Sequence, residues 1–519
     1  MPTKHRWLLA AAVVTTAACG SSTNTSSSSS TPTYTAGTYP PSSTFAGQCA
    51  TPRTGTDPIT GQAYPDKPGS TMAENMFLRS WTNELYLWYL EVPDTNPAGY
   101  ATADYFNLLK TSLTTASGNP KDKFHFTYAT ADWESLSQSG VSAGYGAQFA
   151  IIASTPPRQV LVAYTDPNTP ATAANLARGA EILSVDGVDM VNGSDTTTLN
   201  NGLFPSAAGQ THTFSVQDLG SSTPRTISMT SANVTETPVQ NVTTLRSHGS
   251  TVGYMLFNDH IATAEQLLVN GFSQLAAAGV SDLVLDIRYN GGGYLDMASE
   301  VAYMIAGPGP TTGKTFERTV FNDKYPSTDP VTGQALTPTP FHNTTQGFSG
   351  ASGQPLPSLN LSRVTVLASS STCSASESII NSLRGVGVEV IQVGSTTCGK
   401  PYGFYPQDNC GTTYFSIEFQ GLNNQNFGDY PDGFSPANAG GLGVLVPGCG
   451  VADDFTHALG DPNEARLAAA LGYLADGSCP APSASAASRQ GRAPALSAAP
   501  DGDLRRGPWR ENRILRRQR

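Results

Sequence analysis

The stretch 364–403 constrains the fold of this chain more tightly than any other part of its sequence. A β-branched run at 364–367 leads into a serine-rich turn, a helix-forming segment runs from 375 to about 384, and a second apolar run covers 388–393. These patterns predict a strand, a helix and a second strand. The turn before the helix carries Ser374, and the segment after the second strand carries Lys400.

Ser374 lies at the predicted start of the helix, where the first N–H groups have no partner within the helix. Such groups stabilise negative charge that develops beside them. Lys400 follows an apolar strand, and burial there would favour the neutral amine that accepts a proton from a serine hydroxyl. The pair therefore predicts a serine nucleophile with a lysine base. The alternative is structural, since serine is a favoured helix cap and lysine is common in loops.

A second stretch predicts a buried strand at 283–287 that ends in Asn-Gly-Gly-Gly at 290–293. Consecutive glycines let the backbone turn tightly and present N–H groups to a ligand. This arrangement suits an oxyanion hole, and the alternative is a tight loop after a strand.

Together the two stretches resemble the carboxyl-terminal processing, or tail-specific, serine proteases. The resemblance is carried by Asp-Ile-Arg-Tyr-Asn-Gly-Gly-Gly at 286–293, Ser-Ala-Ser-Glu at 374–377 and Gly-Lys at 399–400. It extends over about 75–475 and implies a serine endopeptidase that needs neither a cofactor nor a metal.

The resemblance also implies the roles of individual residues. Ser374 would be the nucleophile and Lys400 its general base. The oxyanion hole would use the N–H groups of Ala375 and of Gly292 or Gly293. Members of the family often carry a glutamine four residues after the lysine, where this chain has Phe404, so the third catalytic residue is not predicted.

The resemblance implies an α/β and β multidomain fold with a ClpP/crotonase-like αβ protease core. The predicted order is a lipoprotein signal peptide (1–19), a Ser/Thr/Pro-rich tether (20–69), an N-terminal helical region (70–137), a PDZ-like domain (138–238), the protease domain (239–478) and a disordered basic tail (479–519). A Pro-, Thr-, Gly- and Ser-rich insertion at 307–360 has no predicted role.

The first 19 residues resemble a bacterial lipoprotein signal, with a short basic segment, a short apolar run and Cys19 as the lipidated residue. The alternative is an ordinary cleaved secretion signal. Either signal predicts export, and lipidation would anchor the protein to membrane lipid, facing the periplasm or the cell exterior.

Two regions precede the core. Six apolar residues at 70–137 fall on one predicted helical face: Met76, Phe77, Trp81, Leu85, Trp88 and Tyr89. The region 138–238 resembles a PDZ domain, which captures the carboxyl terminus of a peptide by strand addition. The resemblance assigns this binding to Gly144, Tyr145, Gly146 and Ala147. The alternative is a small β domain that only packs on the protease.

The chain has seven cysteines. If Cys19 carries lipid, six remain, which suits disulfides in an oxidising compartment. A Cys398–Cys410 bridge could clamp the loop of Lys400, while Cys373 could be free or an alternative nucleophile.

Charge and the remaining polar motifs narrow the partners. The formal charge is −11, and the segment 480–519 contributes nine arginines against three acids. The acidic remainder argues against nucleic acid as the main partner. The pair Asp453-Asp454 predicts a loop or a helix start, and His457 could reach Ser374 only if the fold brought them together. No cysteine or histidine spacing suggests zinc.

These patterns predict a Ser/Lys endopeptidase that cleaves exported proteins and engages their carboxyl termini through the PDZ-like domain. The alternative from another class is a non-catalytic peptide-binding lipoprotein of the cell envelope.

Overall fold

The computed structural model describes residues 32–440, 442–481 and 512–515. The predicted signal segment with Cys19 lies outside the described residues. Among the described residues, no helix combines the length and the apolar character needed to cross a bilayer.

The N-terminal segment packs on the rest of the chain from residue 32 onward. Its helices are α1 (Thr71–Leu85), α2 (Thr102–Leu108) and α3 (Thr130–Ser139), its 3₁₀ turns are Ser42–Thr44 and Tyr89–Glu91, and its strands are β1 (Gln48–Cys49), β2 (Lys67–Pro68) and β3 (Phe126–Ala129). The prediction of a tether is therefore wrong for 32–69. Phe45 is buried, a Cys49–Cys410 disulfide joins the segment to the core, and the Arg79 guanidinium donates to Thr38 O at 2.8 Å.

The predicted helical face of this region ends earlier than expected. Ser70 caps α1 by accepting a hydrogen bond from the Ala73 N–H at 3.2 Å, but the helix ends at Leu85. Trp88 and Tyr89 lie beyond it because tertiary contacts turn the chain there. The buried Tyr86 hydroxyl donates to Asp122 at 2.7 Å.

Residues 141–235 form a β-rich unit with its own apolar core. Its elements are β4 (Val141–Gly144), β5 (Ala147–Ala153), β6 (Gln159–Thr165), α4 (Pro170–Ala173), β7 (Glu181–Val185), β8 (Val188–Asp189), α5 (Thr196–Leu203), β9 (Thr211–Gln217), β10 (Arg225–Thr230) and β11 (Ala232–Thr235). The main sheet has the order β10-β9-β7-β6-β5, so β5 is its edge strand among the described residues.

The core of the molecule is a six-stranded sheet flanked by helices. Its strands and helices are β12 (Val239–Ser247), β13 (Ser250–Phe257), α6 (Ala264–Ala277), β14 (Asp282–Asp286), β15 (Gly292–Tyr294), α7 (Leu295–Ala306), β18 (Arg363–Ala368), α9 (Ala375–Gly385), β19 (Glu389–Gly394), β26 (Gly448–Gly450) and α10 (Ala465–Asp476). The strand order is β12-β13-β14-β18-β19-β26, with the first pair antiparallel and the others parallel.

Side chains of the central strands alternate between two apolar clusters, as the pleat requires. Met255 and Leu285 belong to the cluster that contains α6, α7 and α9. Tyr254 and Val284 belong to the cluster that contains α10. The sheet is therefore covered on both faces, as a largely parallel sheet must be.

The predicted elements of the core are confirmed to within a few residues, whereas the insertion at 307–360 is only partly irregular. The remaining elements are α8 (Pro308–Thr311), β16 (Thr315–Val320), β17 (Thr339–Pro340), β20 (Tyr402–Gly403), β21 (Gln407–Asn409), β22 (Thr412–Phe415), β23 (Phe419–Leu422), β24 (Phe434–Pro436), β25 (Val444–Val446) and β27 (Asn512–Ile514). The insertion supplies β16 and β17 to a sheet of order β17-β16-β23-β20.

The predicted disordered tail is also corrected in part, because β27 pairs with β15. Six cysteines form three disulfides: Cys49–Cys410, Cys373–Cys398 and Cys449–Cys479. The Cys398–Cys410 bridge, one of the pairings that the sequence left open, does not form, since each of these residues has a different partner. Pairing across 361 residues of sequence follows from the fold and not from the spacing.

Candidate active site

The segments singled out by the sequence meet at one edge of the central sheet. β14, β18 and β19 are adjacent and parallel, so their carboxyl ends lie side by side. The glycine turn follows β14, Ser374 lies between β18 and α9, and Lys400 follows β19. Ser374 and Lys400 are both fully buried. The fold thus gathers three distant segments at one enclosed site.

Glu377 holds the backbone of Ser374 and the backbone of Lys400 at the same time. Its Oε2 accepts hydrogen bonds from the Ser374 N–H (2.9 Å) and the Lys400 N–H (2.8 Å). Its Oε1 accepts from the Gly399 N–H (2.9 Å) and the Thr397 hydroxyl (2.5 Å). Burial raises the pKa of Glu377, and these hydrogen bonds oppose the rise because they favour the carboxylate.

Glu377 entered the prediction only as the last residue of the Ser-Ala-Ser-Glu motif at 374–377. Its contact with the Ser374 N–H had a readable signal, since Ser-x-x-Glu is the capping-box spacing. Its contacts with 397–400 had no such signal in the sequence. They join segments 20 to 23 residues apart, and only the fold brings those together.

A disulfide joins the same two loops a second time. Cys373 precedes Ser374, and Cys398 lies two residues before Lys400. The prediction that Cys373 could be free or nucleophilic is therefore wrong. The two sulfurs and the Glu377 carboxylate lie within 4.8 Å of one another. Because both sulfurs are in the disulfide, this trio offers no thiolate to a metal ion.

The Lys400 side chain is enclosed by aromatic rings. Its Nζ lies 4.7 Å from the ring centre of Phe124 and 4.6 Å from that of Phe404. Phe404, which stands where the family often has glutamine, is itself fully buried. Aromatic faces attract an ammonium group, so this cage can stabilise the amine once it has taken a proton.

Ser374 has a backbone conformation that residues other than glycine rarely adopt, with φ 58° and ψ −115°. Two hydrogen bonds hold this turn against the glycine turn. The Cys373 N–H donates to Asn290 O at 3.1 Å, and the Ser376 hydroxyl donates to the same oxygen at 3.0 Å. The surrounding contacts therefore impose the strained conformation at the proposed nucleophile.

The candidates for the oxyanion hole narrow from three N–H groups to two. The Gly292 N–H already donates to Asn290 Oδ1 at 2.9 Å. Gly293 has φ 134°, and a Cβ there would lie 2.4 Å from His260 O, so only glycine fits. The Ala375 N–H belongs to the first residue of α9 and lies outside the helical hydrogen-bond ladder.

His260 supports β15, the short strand that carries Gly292 and Gly293, and the sequence did not predict this role. Its ring Nδ1 lies 2.9 Å from Asn290 Oδ1. Its backbone N–H donates to Gly292 O at 3.1 Å, and its backbone carbonyl accepts from the Tyr294 N–H at 3.0 Å. Burial lowers the pKa of His260 to about 3, so the ring is neutral near pH 7. A lone histidine at the end of a strand gives no sequence signal for this role.

The four predicted peptide-binding residues lie in the β-rich unit, apart from the three loops described above. Gly144 ends β4, and Ala147 begins β5. Between them, Gly146 has a left-handed φ of 72°. Tyr145 is a core residue, because its ring is buried and its hydroxyl donates to Gly202 O at 3.0 Å.

Asp453 connects the β-rich unit to the loop after β14. Its carboxylate accepts from Arg178 at 2.8 Å and from Arg288 at 2.7 Å, and Arg178 also donates to the Tyr289 hydroxyl at 2.7 Å. Although burial opposes ionisation, the guanidinium groups of Arg288, Arg466 and Arg178 hold the pKa of Asp453 well below its usual range. The carboxylate is therefore an ion-pair partner.

The predicted loop at Asp453-Asp454 is confirmed, since both residues precede α10 outside any regular element. The His457 ring contacts Asp454, with 2.7 Å between Nδ1 and Oδ2, and it is not paired with Ser374 through that nitrogen.

Comparison with known proteins agrees with this geometry. Residues 251–404, which include the glycine turn, Ser374 and Lys400, match the model of peptidase family S41. This part of the chain is thus similar to the S41 peptidases, and the predicted resemblance to the carboxyl-terminal processing serine proteases is confirmed.

A carboxyl-terminal-processing protease of Picosynechococcus sp. is 28% identical over 271 residues, which cover 51% of this chain and 56% of that protein. The match therefore spans just over half the length of this curated relative. The structure of an S41 protease candidate from Bacteroides fragilis is 22% identical, with a TM-score of 0.58 over 79% of this chain and 97% of that chain. This likeness supports a mixed α/β S41 fold. The photosystem II D1 C-terminal processing protease is more distant, with 20% identity and a TM-score of 0.41 over 71% of this chain and 92% of that chain.

Proposed function

We propose that this chain is a serine endopeptidase in which Ser374 is the nucleophile and Lys400 is the general base. The observation that carries the proposal is that the backbone N–H groups of Ser374 and Lys400 both donate to Glu377 Oε2. This shared acceptor holds the two residues side by side at the ends of adjacent strands, and both residues are fully buried. A lysine base needs such burial, because the neutral amine is favoured there.

Acylation follows from these positions. Lys400, as a neutral amine, takes the proton of the Ser374 hydroxyl while Oγ attacks the carbonyl carbon of the peptide bond. The N–H groups of Gly293 and Ala375 donate to the oxyanion that forms. The intermediate then collapses, the C–N bond breaks, and the amine product leaves with the proton from Lys400.

Deacylation repeats the same proton transfers with water. Lys400 takes a proton from a water molecule that attacks the ester carbonyl. The second tetrahedral intermediate then collapses, the C–O bond to Ser374 breaks, and Lys400 returns the proton to Ser374 Oγ as the acid product leaves. The rings of Phe124 and Phe404 stabilise the ammonium form of Lys400 between the transfers.

We assign substrate capture to the β-rich unit, as a PDZ-like domain that binds carboxyl termini. The edge strand β5 follows a glycine-containing loop, which is the arrangement that strand addition requires. We also assign the core to the ClpP/crotonase-like class, since the units β13-α6-β14 and β18-α9-β19 follow one another in one parallel sheet.

We propose that the protein works outside the cytoplasm, anchored through lipid on Cys19. The three disulfides support an oxidising compartment. The signal-like sequence before residue 20 supports export.

Cleavage of an unstructured protein with an apolar carboxyl terminus tests the proposal. We expect Ser374→Ala and Lys400→Ala each to lower the rate by at least about 10³-fold, because the dyad acts as a unit. Ser352→Ala and Lys314→Ala change the same residue types at exposed positions and should leave the rate unchanged.

Labelling of Ser374 by a serine-reactive phosphonate separates the alternatives. Labelling that Lys400→Ala abolishes supports the dyad. Activity that survives Lys400→Ala would assign another base to the serine. Equal inactivity of wild type and variants from neutral to alkaline pH would favour the non-catalytic peptide-binding protein.

A further inference from the structure

A segment near residue 512, late in the sequence, pairs with β15, the strand of the candidate active site that carries Gly292 and Gly293. β27 (Asn512–Ile514) pairs in parallel with β15, in the register Gly292 with Asn512, Gly293 with Arg513 and Tyr294 with Ile514. β15 contains Gly293, one of the two proposed oxyanion donors. The segment therefore occupies backbone positions that a bound peptide would use.

The other neighbours of β27 are also elements of the site. The strand lies beside helix α9, which begins directly after Ser374, and beside β20, which begins two residues after Lys400. The Leu515 N–H continues the extended contact by donating to Phe404 O at 3.2 Å. The segment thus runs between the three loops that carry the glycine turn, the serine and the lysine.

The Leu515 side chain enters an apolar site. It is half-buried and packs between the large core cluster and a smaller cluster formed by Phe321, Tyr405 and Phe419. A bound extended segment is recognised by backbone hydrogen bonds along the strand and by side-chain pockets that give specificity. Both features are present here.

Charge and reach favour this occupant. The segment 480–519 has nine arginines and three acids, whereas the whole chain has a formal charge of −11, so a basic tail meets an acidic body. The residues between 481 and 512 could span up to about 100 Å if extended, which is more than enough to reach the site.

We propose that residues 512–515 are an internal ligand of the substrate groove, and that the groove selects peptides with an aliphatic side chain at the position of Leu515. This proposal rests on the proposed peptidase function and specifies the substrates and the self-blocking of that site. A substrate strand lies parallel to β15 and competes with β27 for it. Since the tail is tethered, its local concentration is about millimolar, and it weakens the binding of free peptide.

Peptide binding to the full chain tests the inference without any need for catalysis. The probe is a fluorescein-labelled peptide with the sequence of residues 510–517, and all proteins carry Ser374→Ala. We expect Leu515→Asp in the protein to tighten peptide binding by at least about tenfold, because the tail leaves the groove. Leu504→Asp, at another leucine of the same tail, is the matched control and should change nothing. The peptide with its own leucine replaced by aspartate should bind at least about tenfold more weakly.

Hydrogen exchange provides a second readout. Leu515→Asp, but not Leu504→Asp, should speed exchange at the amide of Gly293, whereas the Tyr294 amide, which donates to His260 O, should be unaffected. Equal binding and equal exchange in the two variants would overturn the internal ligand. If these contrasts hold but no form cleaves protein, the groove and its ligand stand and the peptidase proposal fails. If cleavage depends on Ser374 but Leu515→Asp leaves binding and exchange unchanged, the peptidase stands and the internal ligand fails.

Discussion

Two buried glutamates organise loops in different regions of this molecule, and one of them, Glu265, lies beside a second buried carboxyl group. Glu377 receives four hydrogen bonds, shared between its two oxygens, from the segments of Ser374 and Lys400. Glu265 also receives four, from consecutive backbone N–H groups of 346–349 in the insertion. The same chemistry thus holds a candidate catalytic pair in one region and a surface loop in the other.

The neighbour of Glu265 makes the difference between the two regions. Glu300 accepts a single N–H at 2.9 Å, from Gln346, which also donates to Glu265. Burial and then the negative charge of Glu265 raise the pKa of Glu300 to about 9. A carboxylate with enough donors can therefore serve as a fixed acceptor, whereas a second carboxyl beside it keeps its proton.

Among the variants that compare the two regions, the largest expected effect is that of Glu377→Gln on activity. An amide keeps one acceptor oxygen, so its NH2 group would face the donors of either Ser374 and Lys400 or Thr397 and Gly399. The loops should therefore shift, and kcat should fall by about 100-fold with a smaller change in KM. Glu265→Gln makes the same change in the other region and should cost similar stability while kcat stays within twofold. Equal losses of kcat in both variants would show that Glu377 acts only through stability.

Removal of the Cys373–Cys398 disulfide should also separate activity from stability. It closes a loop of 25 residues, and Cys449–Cys479 closes one of 30, so replacing either pair by alanine should cost about 3 kcal/mol of unfolding free energy. Only the first replacement frees the loops of Ser374 and Lys400, and it should lower kcat by at least about tenfold. Chemical denaturation and steady-state kinetics measure both quantities, and a matching loss of kcat in the two variants would contradict the role of the first disulfide.

The free energy of unfolding should decrease as the pH rises, because Glu300 is protonated in the folded state. Its folded pKa of about 9 lies above the ordinary value for an unfolded glutamate, about 4.3, so the folded state holds the extra proton between these values. The stabilisation is complete below about pH 4.3 and is lost as the pH rises through about 9. Glu300→Gln should be more stable than wild type at pH 8 by about 2–4 kcal/mol, with a smaller difference at pH 6.

Denaturation midpoints at the two pH values check this expectation. Glu389→Gln, at an exposed glutamate, is the control and should follow wild type. An unchanged slope of stability against pH in Glu300→Gln would mean that Glu300 is not the protonated group.

The smallest expected effect is that of Thr397→Val. Glu377 would lose one of its four donors, and the Phe434 N–H would lose its acceptor, now at 2.8 Å. A loss of about 1–2 kcal/mol in stability and a few-fold drop in kcat should follow. Thr365→Val is the control, because among the described residues the Thr365 hydroxyl has no hydrogen-bond partner. Its stability should be unchanged or higher, and equal losses in both variants would argue against the Thr397 contact.

Much of the core could be predicted because its local patterns and its tertiary environment agree. The apolar runs before Ser374 and before the glycine turn became β18 and β14, with bounds close to those expected. The wrong prediction of a tether at 32–69 rests on composition alone. Residues 32–69 are poor in apolar side chains but are held by a disulfide and by the contacts of Arg79, which a composition does not reveal.

Sequence patterns were sufficient to predict the strand–helix–strand unit, the glycine turn, and the Ser374 and Lys400 pair of the proposed peptidase. These features depend on hydrophobic periodicity and on local backbone preference, which act over a few residues. The tertiary structure alone decided which cysteines pair, that Glu377 spans the loops of Ser374 and Lys400, and that residues 512–514 lie on β15. Each of these contacts joins segments far apart in the chain, and their partners are chosen by strand order and packing.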